Sequence, residues 1–86
     1  MIDERKRREN EKKFGVWDEQ PDGSRRYSYE VHGRHGWGAC YVKEVDASER
    51  TLRFYQEIYN EDGRLVEIHQ KYPADKGHIK VEGGNR

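Results

Sequence analysis

Four side chains in the second half of the sequence could carry out acid–base chemistry on a phosphate group. They are His69, His78, Lys71 and Arg53. A histidine titrates near neutral pH and can give or take a proton, and a lysine or arginine can stabilise a pentavalent phosphorane. Cleavage of RNA without a metal needs only such groups, because the 2′-hydroxyl of the substrate is the nucleophile. The pattern is compatible with a small, toxin-like, metal-independent RNase, but also with ordinary surface residues on a half-solvated sheet.

Aromatic and basic residues alternate along the same part of the chain and could form a binding surface. The set is Trp37, Tyr41, Arg53, Tyr55, Tyr59, His69 and Lys71. Flat rings placed between cations can stack on nucleic-acid bases. Tyr, Trp and Arg also dominate the central contacts of protein interfaces. We therefore expect a protein or RNA partner at this surface, or else a second small core buried by the N-terminal segment or by a second copy of the chain.

Two histidines and the single cysteine form the only arrangement that suggests a metal. His32, His35 and Cys40 give the pattern H-x-x-H-x4-C, which supplies three ligands. A structural zinc site needs four, and the spacing matches no standard zinc finger. The sequence also contains no Gly-rich phosphate loop and no nucleophile elbow. We therefore predict no metal site and no cofactor.

The strongest secondary-structure signal is the segment 51–72, which predicts two long strands joined by a turn at Asn60–Gly63. Strand alternation separates an apolar set from an aromatic and basic set: Leu52, Phe54 and Ile58 against Arg53, Tyr55 and Tyr59. Alternate residues of a strand point to opposite faces of the sheet. We expect His69 and Lys71 of the second strand to lie on the aromatic and basic face.

Turn signals recur at intervals of about ten residues and predict a mainly β fold, a single curved antiparallel sheet of about five strands in meander order. The predicted strands span 14–19, 25–32, 37–45, 51–59 and 64–72, and 78–81 could add a further short strand. Residues 3–13 include no apolar residue. We expect them to form a charged helix or a disordered leader that buries nothing. The predicted organisation is a leader at 1–13, one β domain at 14–82 and a flexible tail at 83–86.

Composition limits the possible size of the core and the class of partner. With 31% hydrophobic and 40% charged residues in 86, the chain is near the lower limit for a packed core, and a homodimer would relieve this. The 17 basic and 17 acidic residues balance, which argues against a general nucleic-acid coat protein but allows a local basic patch. The single cysteine suits a reducing, cytoplasmic compartment. No apolar run approaches the roughly 18 residues that a membrane span needs.

These features favour a non-enzymatic interaction module that binds a protein or nucleic acid through an aromatic and basic sheet face. The alternative is the RNase, with His69 and His78 as its acid and base. A structural subunit that dimerises through the same face is a third interpretation.

Overall fold

The computed structural model describes residues 1–75 and 77–81, and its fold is mainly β, as the sequence predicts. Within this part of the chain, one helix precedes six strands: α1 (Glu4–Phe14), β1 (Val16–Glu19), β2 (Arg25–His32), β3 (Gly38–Val45), β4 (Thr51–Tyr59), β5 (Leu65–Tyr72) and β6 (Gly77–Lys80). The strands form one antiparallel sheet in which each pairs with its neighbours in sequence. The sixth strand is the short C-terminal segment, which pairs with β5. The predicted flexible tail at 83–86 lies outside the described residues.

The N-terminal helix is defined by its two caps. The Asp3 side chain accepts a hydrogen bond from the backbone N–H of Lys6 at 3.1 Å, and Gly15 ends the helix in the left-handed conformation. Lys12 and Lys13 lie in the last turn, where positive charge complements the helix dipole. Phe14 is therefore the last residue of α1, and the strand predicted to begin at Phe14 begins at Val16 instead.

The helix packs on one face of the sheet, which we call the helix-side face. Phe14 is 5% exposed, and its ring lies 5.7 Å from that of Tyr27 and 5.3 Å from that of Tyr29. Asn10, which lies one turn earlier, is also 5% exposed. The expectation that the N-terminal segment buries nothing is wrong. The helix has no apolar stripe, and it docks through polar side chains and one terminal aromatic ring.

The three hairpin turns that precede β2, β4 and β5 share one geometry. In each, the first residue donates its backbone N–H to the carbonyl four residues on: Gln20 to Ser24, Asp46 to Arg50 and Asn60 to Arg64, at 2.8, 2.9 and 3.0 Å. The residue before that carbonyl is left-handed in every case. It is Gly23 (φ 88°) and Gly63 (φ 79°) in two turns, but Glu49 (φ 79°) in the third. A side chain in this conformation costs roughly 1–2 kcal/mol, so Glu49 must be held by its contacts.

The core is centred on the helix rather than on the apolar residues of β4. Phe14, Tyr27 and Val45 form the buried cluster, and Phe54 packs partly buried against it. Leu52, predicted to share the apolar face, is 50% exposed. The register between β3 and β4 shifts at this point, so that Leu52 has no partner on β3. A bulged residue outside the cover of the helix stays accessible to solvent.

A second register shift decides which residues of β5 share a face with β4. Next to the turn Tyr59 pairs with Leu65, but one residue further along the register shifts, and Gln56 pairs with His69. One extra residue in a strand moves every following side chain to the other face. His69 therefore lies on the helix-side face, and the prediction that it lies beside Tyr55 is wrong.

No helix within residues 1–75 and 77–81 is long and apolar enough to cross a membrane.

Candidate functional site

The structure divides the predicted binding residues between the two faces of the sheet. Tyr41, His69 and Lys71 lie on the helix-side face, whereas Arg53, Tyr55 and Tyr59 lie on the opposite face. Trp37 lies just before β3 and is 39% exposed. Of the predicted catalytic residues, His69, His78 and Lys71 share the helix-side face. Arg53 does not, which excludes it from a common site with the two histidines.

The opposite face is a tightly bonded polar layer. Tyr55 is 7% exposed, its hydroxyl donates to Glu44 Oε2 at 3.0 Å, and the Arg53 guanidinium lies 4.6 Å from the centre of its ring. Tyr59 donates its hydroxyl to Glu57 Oε1 at 3.1 Å, and burial together with that carboxylate raises the pKa of Tyr59 to about 12. Tyr55 is thus too buried to stack on a partner.

The helix-side face carries a row of rings that continues beyond the helix. The Tyr29 and Tyr41 rings are stacked at 5.0 Å with an interplanar angle of 19°, and Tyr41 and Phe54 follow at 6.3 Å and 28°. The ammonium of Lys71 lies 5.0 Å from the Tyr41 ring and 5.8 Å from the Phe54 ring. Gln56 donates its amide to the Tyr41 hydroxyl at 3.1 Å. This row combines flat surfaces and a cation on one half-buried strip.

Two histidines lie beside this row. The rings of His69 and His78 are 4.4 Å apart, because the two residues are cross-strand partners on β5 and β6. Asp75 Oδ1 lies 2.8 Å from His69 Nε2. Since a carboxylate can only accept, His69 Nε2 carries the proton and Nδ1 is left for acid–base chemistry. The backbone N–H of Gly77 and the His69 ring lower the pKa of Asp75. Asp75 is not among the candidate residues that the sequence indicates.

A groove on the same side of the molecule could not be foreseen from the sequence. It lies between α1 and the start of β4 and has a volume of about 690 Å³. Four cations, from α1, β3 and the turn before β4, line it together with three aromatic side chains: Lys6, Lys13, Lys43, Arg50, Phe14, Phe54 and Tyr72. No local motif connects these residues, because they meet only once the helix docks.

The histidines and cysteine considered as metal ligands do not form a cluster in the described part of the chain. No group of three or more His, Cys, Asp or Glu side chains there could hold a metal ion. Cys40 is half-buried on β3, and burial followed by the Glu57 carboxylate raises the pKa of its thiol. His35 lies in a tight turn with φ 58°.

Comparison of the chain with protein-family models, with curated proteins and with solved structures gave no match. The functional proposals therefore depend on the contacts described above.

Proposed function

We propose that the chain is a small interaction module that binds single-stranded RNA on the helix-side face. The observation that carries the proposal is the ring row Tyr29, Tyr41 and Phe54 with the Lys71 ammonium above it. Proteins that hold single strands combine stacking rings with cations that contact the backbone phosphates. The arrangement differs from the predicted surface, because its aromatic residues come from β2, β3 and β4 on the side opposite Tyr55.

A stacked base should bind the Tyr41 ring more strongly than the Lys71 ammonium does. In the free protein the Lys71 ammonium occupies the face of the Tyr41 ring, a cation–π contact of about 0.5–1 kcal/mol at an accessible site. A stacked base contributes about 1–3 kcal/mol. When a strand arrives, Lys71 can move from the ring to a phosphate, so that its charge stays paired while the ring accepts a base.

The proposal includes a cytoplasmic location and leaves self-association as a prediction. The chain has one cysteine, Cys40, and so cannot form an internal disulfide, which suits a reducing compartment. Its overall charge is balanced, so RNA binding must come from the local cations of this face.

The direct test is fluorescence anisotropy with a labelled single-stranded RNA of about 12 nucleotides, a length typical of one small binding domain. Lys71→Gln removes the cation above the rings, and we expect a loss of affinity of about tenfold, the size of one charged contact. Arg53→Gln is the matched control: it removes the same charge from the opposite face, and affinity should change by less than about twofold.

Salt dependence provides a second measure in the same experiment. Each phosphate contact contributes about 0.7 to the slope of log K against log[salt] for a single strand, so Lys71→Gln should lower the slope by about that amount. Absence of RNA binding, or equal losses for Lys71→Gln and Arg53→Gln, would reject RNA as the partner and leave a protein partner for this face.

A second function, metal-independent RNA cleavage, is favoured by the pairing of Asp75 with His69 next to His78. In this reaction one histidine removes the proton of the 2′-hydroxyl, whose oxygen attacks phosphorus. The other protonates the departing 5′-oxygen, which leaves a 2′,3′-cyclic phosphate. Lys71 would stabilise the phosphorane charge, and Asp75 would fix the tautomer of His69.

Cleavage is tested by the products formed from the same RNA. We expect His69→Ala and His78→Ala each to abolish cyclic-phosphate products, with a bell-shaped pH profile and no effect of chelators. His32→Ala, an exposed histidine elsewhere on the sheet, is the control and should retain full activity. Intact RNA under all conditions, together with normal binding, would limit the chain to the binding function.

A further inference from the structure

We propose that the groove between α1 and β4 is a separate site for a nucleoside 5′-monophosphate, either a free nucleotide or the phosphorylated end of a strand. It goes beyond RNA binding on the ring row, because the two sites share only Phe54. Its volume of about 690 Å³ falls in the range of about 300–1,000 Å³ usual for small-molecule sites.

The positive charge of the groove favours a ligand that carries more than one negative charge. Lys6, Lys13, Lys43 and Arg50 line it, and Asp46 is the acidic residue among its lining side chains. The Asp46 carboxylate is already used: it accepts hydrogen bonds from Ser48 and from the backbone and side chain of Arg50. Asp46 thus pairs with Arg50, and the three lysines have no carboxylate partner among the side chains that line the groove.

The lowered pKa of Lys43 supports an excess of positive charge in the groove. Its ammonium donates to Asn10 Oδ1 at 2.9 Å, and its side chain lines the groove. Burial, and next the nearby ammonium of Lys13, lower the pKa of Lys43. The charge of one lysine disfavours the charged form of the other. An anion that binds between them stabilises the charged form of both.

The walls of the groove favour an aromatic group attached to the anion. Tyr72 and Leu52 line the groove and are 47% and 50% exposed, which is unusual for large hydrophobic side chains that line the same groove of a small domain. Phe54 forms part of the inner wall. A nucleobase can stack on such rings while its 5′-phosphate contacts the lysines. The positive groove and its exposed rings match the two halves of a nucleotide.

Titration calorimetry with uridine 5′-monophosphate, uridine and inorganic phosphate tests the site directly. We expect the monophosphate to bind at least about tenfold more tightly than uridine or phosphate alone, because only it contacts both the cations and the rings. Failure of the monophosphate to bind, or equal binding of uridine, would overturn the proposal.

Variants of two adjacent lysines locate the site. Lys13→Gln should weaken monophosphate binding about tenfold, whereas Lys12→Gln, which removes the same charge from the same helical turn but outside the groove, should change it by less than about twofold. Equal effects of the two would reject the groove. If Lys13→Gln proves unfolded by circular dichroism, Arg50→Gln replaces it, because the exposed Arg50 side chain covers no core residue.

The two sources of the nucleotide are separated with oligonucleotides that carry a 5′-phosphate or a 5′-hydroxyl. Tighter binding of the phosphorylated strand, lost in Lys13→Gln, identifies a strand end as the ligand. Equal binding of both strands, with monophosphate binding retained, identifies a free nucleotide. Lys71→Gln should leave monophosphate binding unchanged, so failure of one site is distinguishable from failure of the other.

Discussion

Glu49 is the residue on which the attachment of the helix depends. Its side chain is fully buried, and it accepts hydrogen bonds from Arg7 Nε at 3.2 Å, from Asn10 Nδ2 at 3.1 Å and from the Tyr27 hydroxyl. These donors lie on α1 and β2, and Glu49 itself lies in the turn before β4. A carboxylate in this position connects three elements through one group, which explains why its left-handed backbone is tolerated.

Replacing Glu49 by alanine should lower the free energy of unfolding by roughly 3–5 kcal/mol, because it leaves Arg7 and the Tyr27 hydroxyl buried without their acceptor. Glu49→Gly removes the same carboxylate but relaxes the left-handed backbone. Glycine relieves about 1–2 kcal/mol of backbone strain but adds about 0.5–1 kcal/mol of chain entropy cost. We therefore expect it to be the milder change by up to about 1.5 kcal/mol. Urea unfolding of both variants measures the difference. A larger loss for glycine than for alanine would contradict the account of the turn.

The same carboxylate should make the domain sensitive to acid. Burial opposes ionisation of Glu49, but the bonds from Tyr27, Asn10 and Arg7 prevail, and its pKa lies below the ordinary value. A lowered pKa in the folded state stabilises the protein above the unfolded pKa of about 4.3 and loses that contribution as pH falls through the folded value.

The check is the free energy of unfolding of the wild type and of Glu49→Gln measured between about pH 6 and pH 3. The difference between the two should shrink as pH falls below about 5, since the glutamine cannot titrate. Asp22, Asp46 and Asp75 also have lowered pKa values but are present in both proteins, so they cancel in the difference. A constant difference across this range would show that Glu49 does not supply the acid sensitivity.

At the scale of elements, the helix docks on the sheet and stabilises it. Deletion of residues 1–12 removes Arg7 and Asn10 and leaves the Glu49 carboxylate without two of its partners, so we expect a loss of at least about 3 kcal/mol. A thermal melt of the truncated protein measures it. Replacing Arg5 and Glu9 together by alanine is the control, since their exposed ion pair contributes at most about 0.5 kcal/mol. An unchanged melting temperature after truncation would mean that the helix is not docked.

Strands and turns could be predicted from the sequence because their signals are local. The alternation along 51–59 and the turn at Asn60–Gly63 depend on neighbouring residues, and Asn60 Oδ1 does accept from two backbone N–H groups of its own turn. The face of the sheet on which His69 lies depends on a one-residue bulge near Tyr59, and no residue pattern in the sequence indicates that bulge. A local pattern determines which residues of one strand share a face of the sheet. It does not determine which residues of the neighbouring strand lie on that same face.

The candidate sites could be predicted only where the residues lie on adjacent strands. His69 and His78 are partners on consecutive antiparallel strands, so their approach follows from the order of the chain. The groove needed the docking of α1, which depends on a buried carboxylate in the turn before β4. The one available signal was Glu49 itself, a glutamate in the turn position that is glycine in the other two hairpins.

At the scale of the whole molecule, the sheet is longer than the helix can cover. The described residues extend over 45 × 23 × 22 Å with a radius of gyration of 14.2 Å, against about 12 Å for a compact domain of this length. The α1 helix contacts β1 and β2 and covers the first strands of the meander. The ring row begins at Tyr29 on β2, where the ring lies against Phe14 at the end of α1, and continues over β3 and β4. The histidine pair lies further along the same face, on β5 and β6.

The order of the strands also has a kinetic consequence. Every β-ladder joins strands that follow one another in the chain, so loop-closure entropy is small and the sheet can assemble quickly. The contacts of Glu49 with Arg7 and Asn10 are different, since they span 42 and 39 residues. We therefore expect the helix to dock after the meander has formed. Loss of the Glu49 anchor would then accelerate unfolding while leaving the rate of folding almost unchanged.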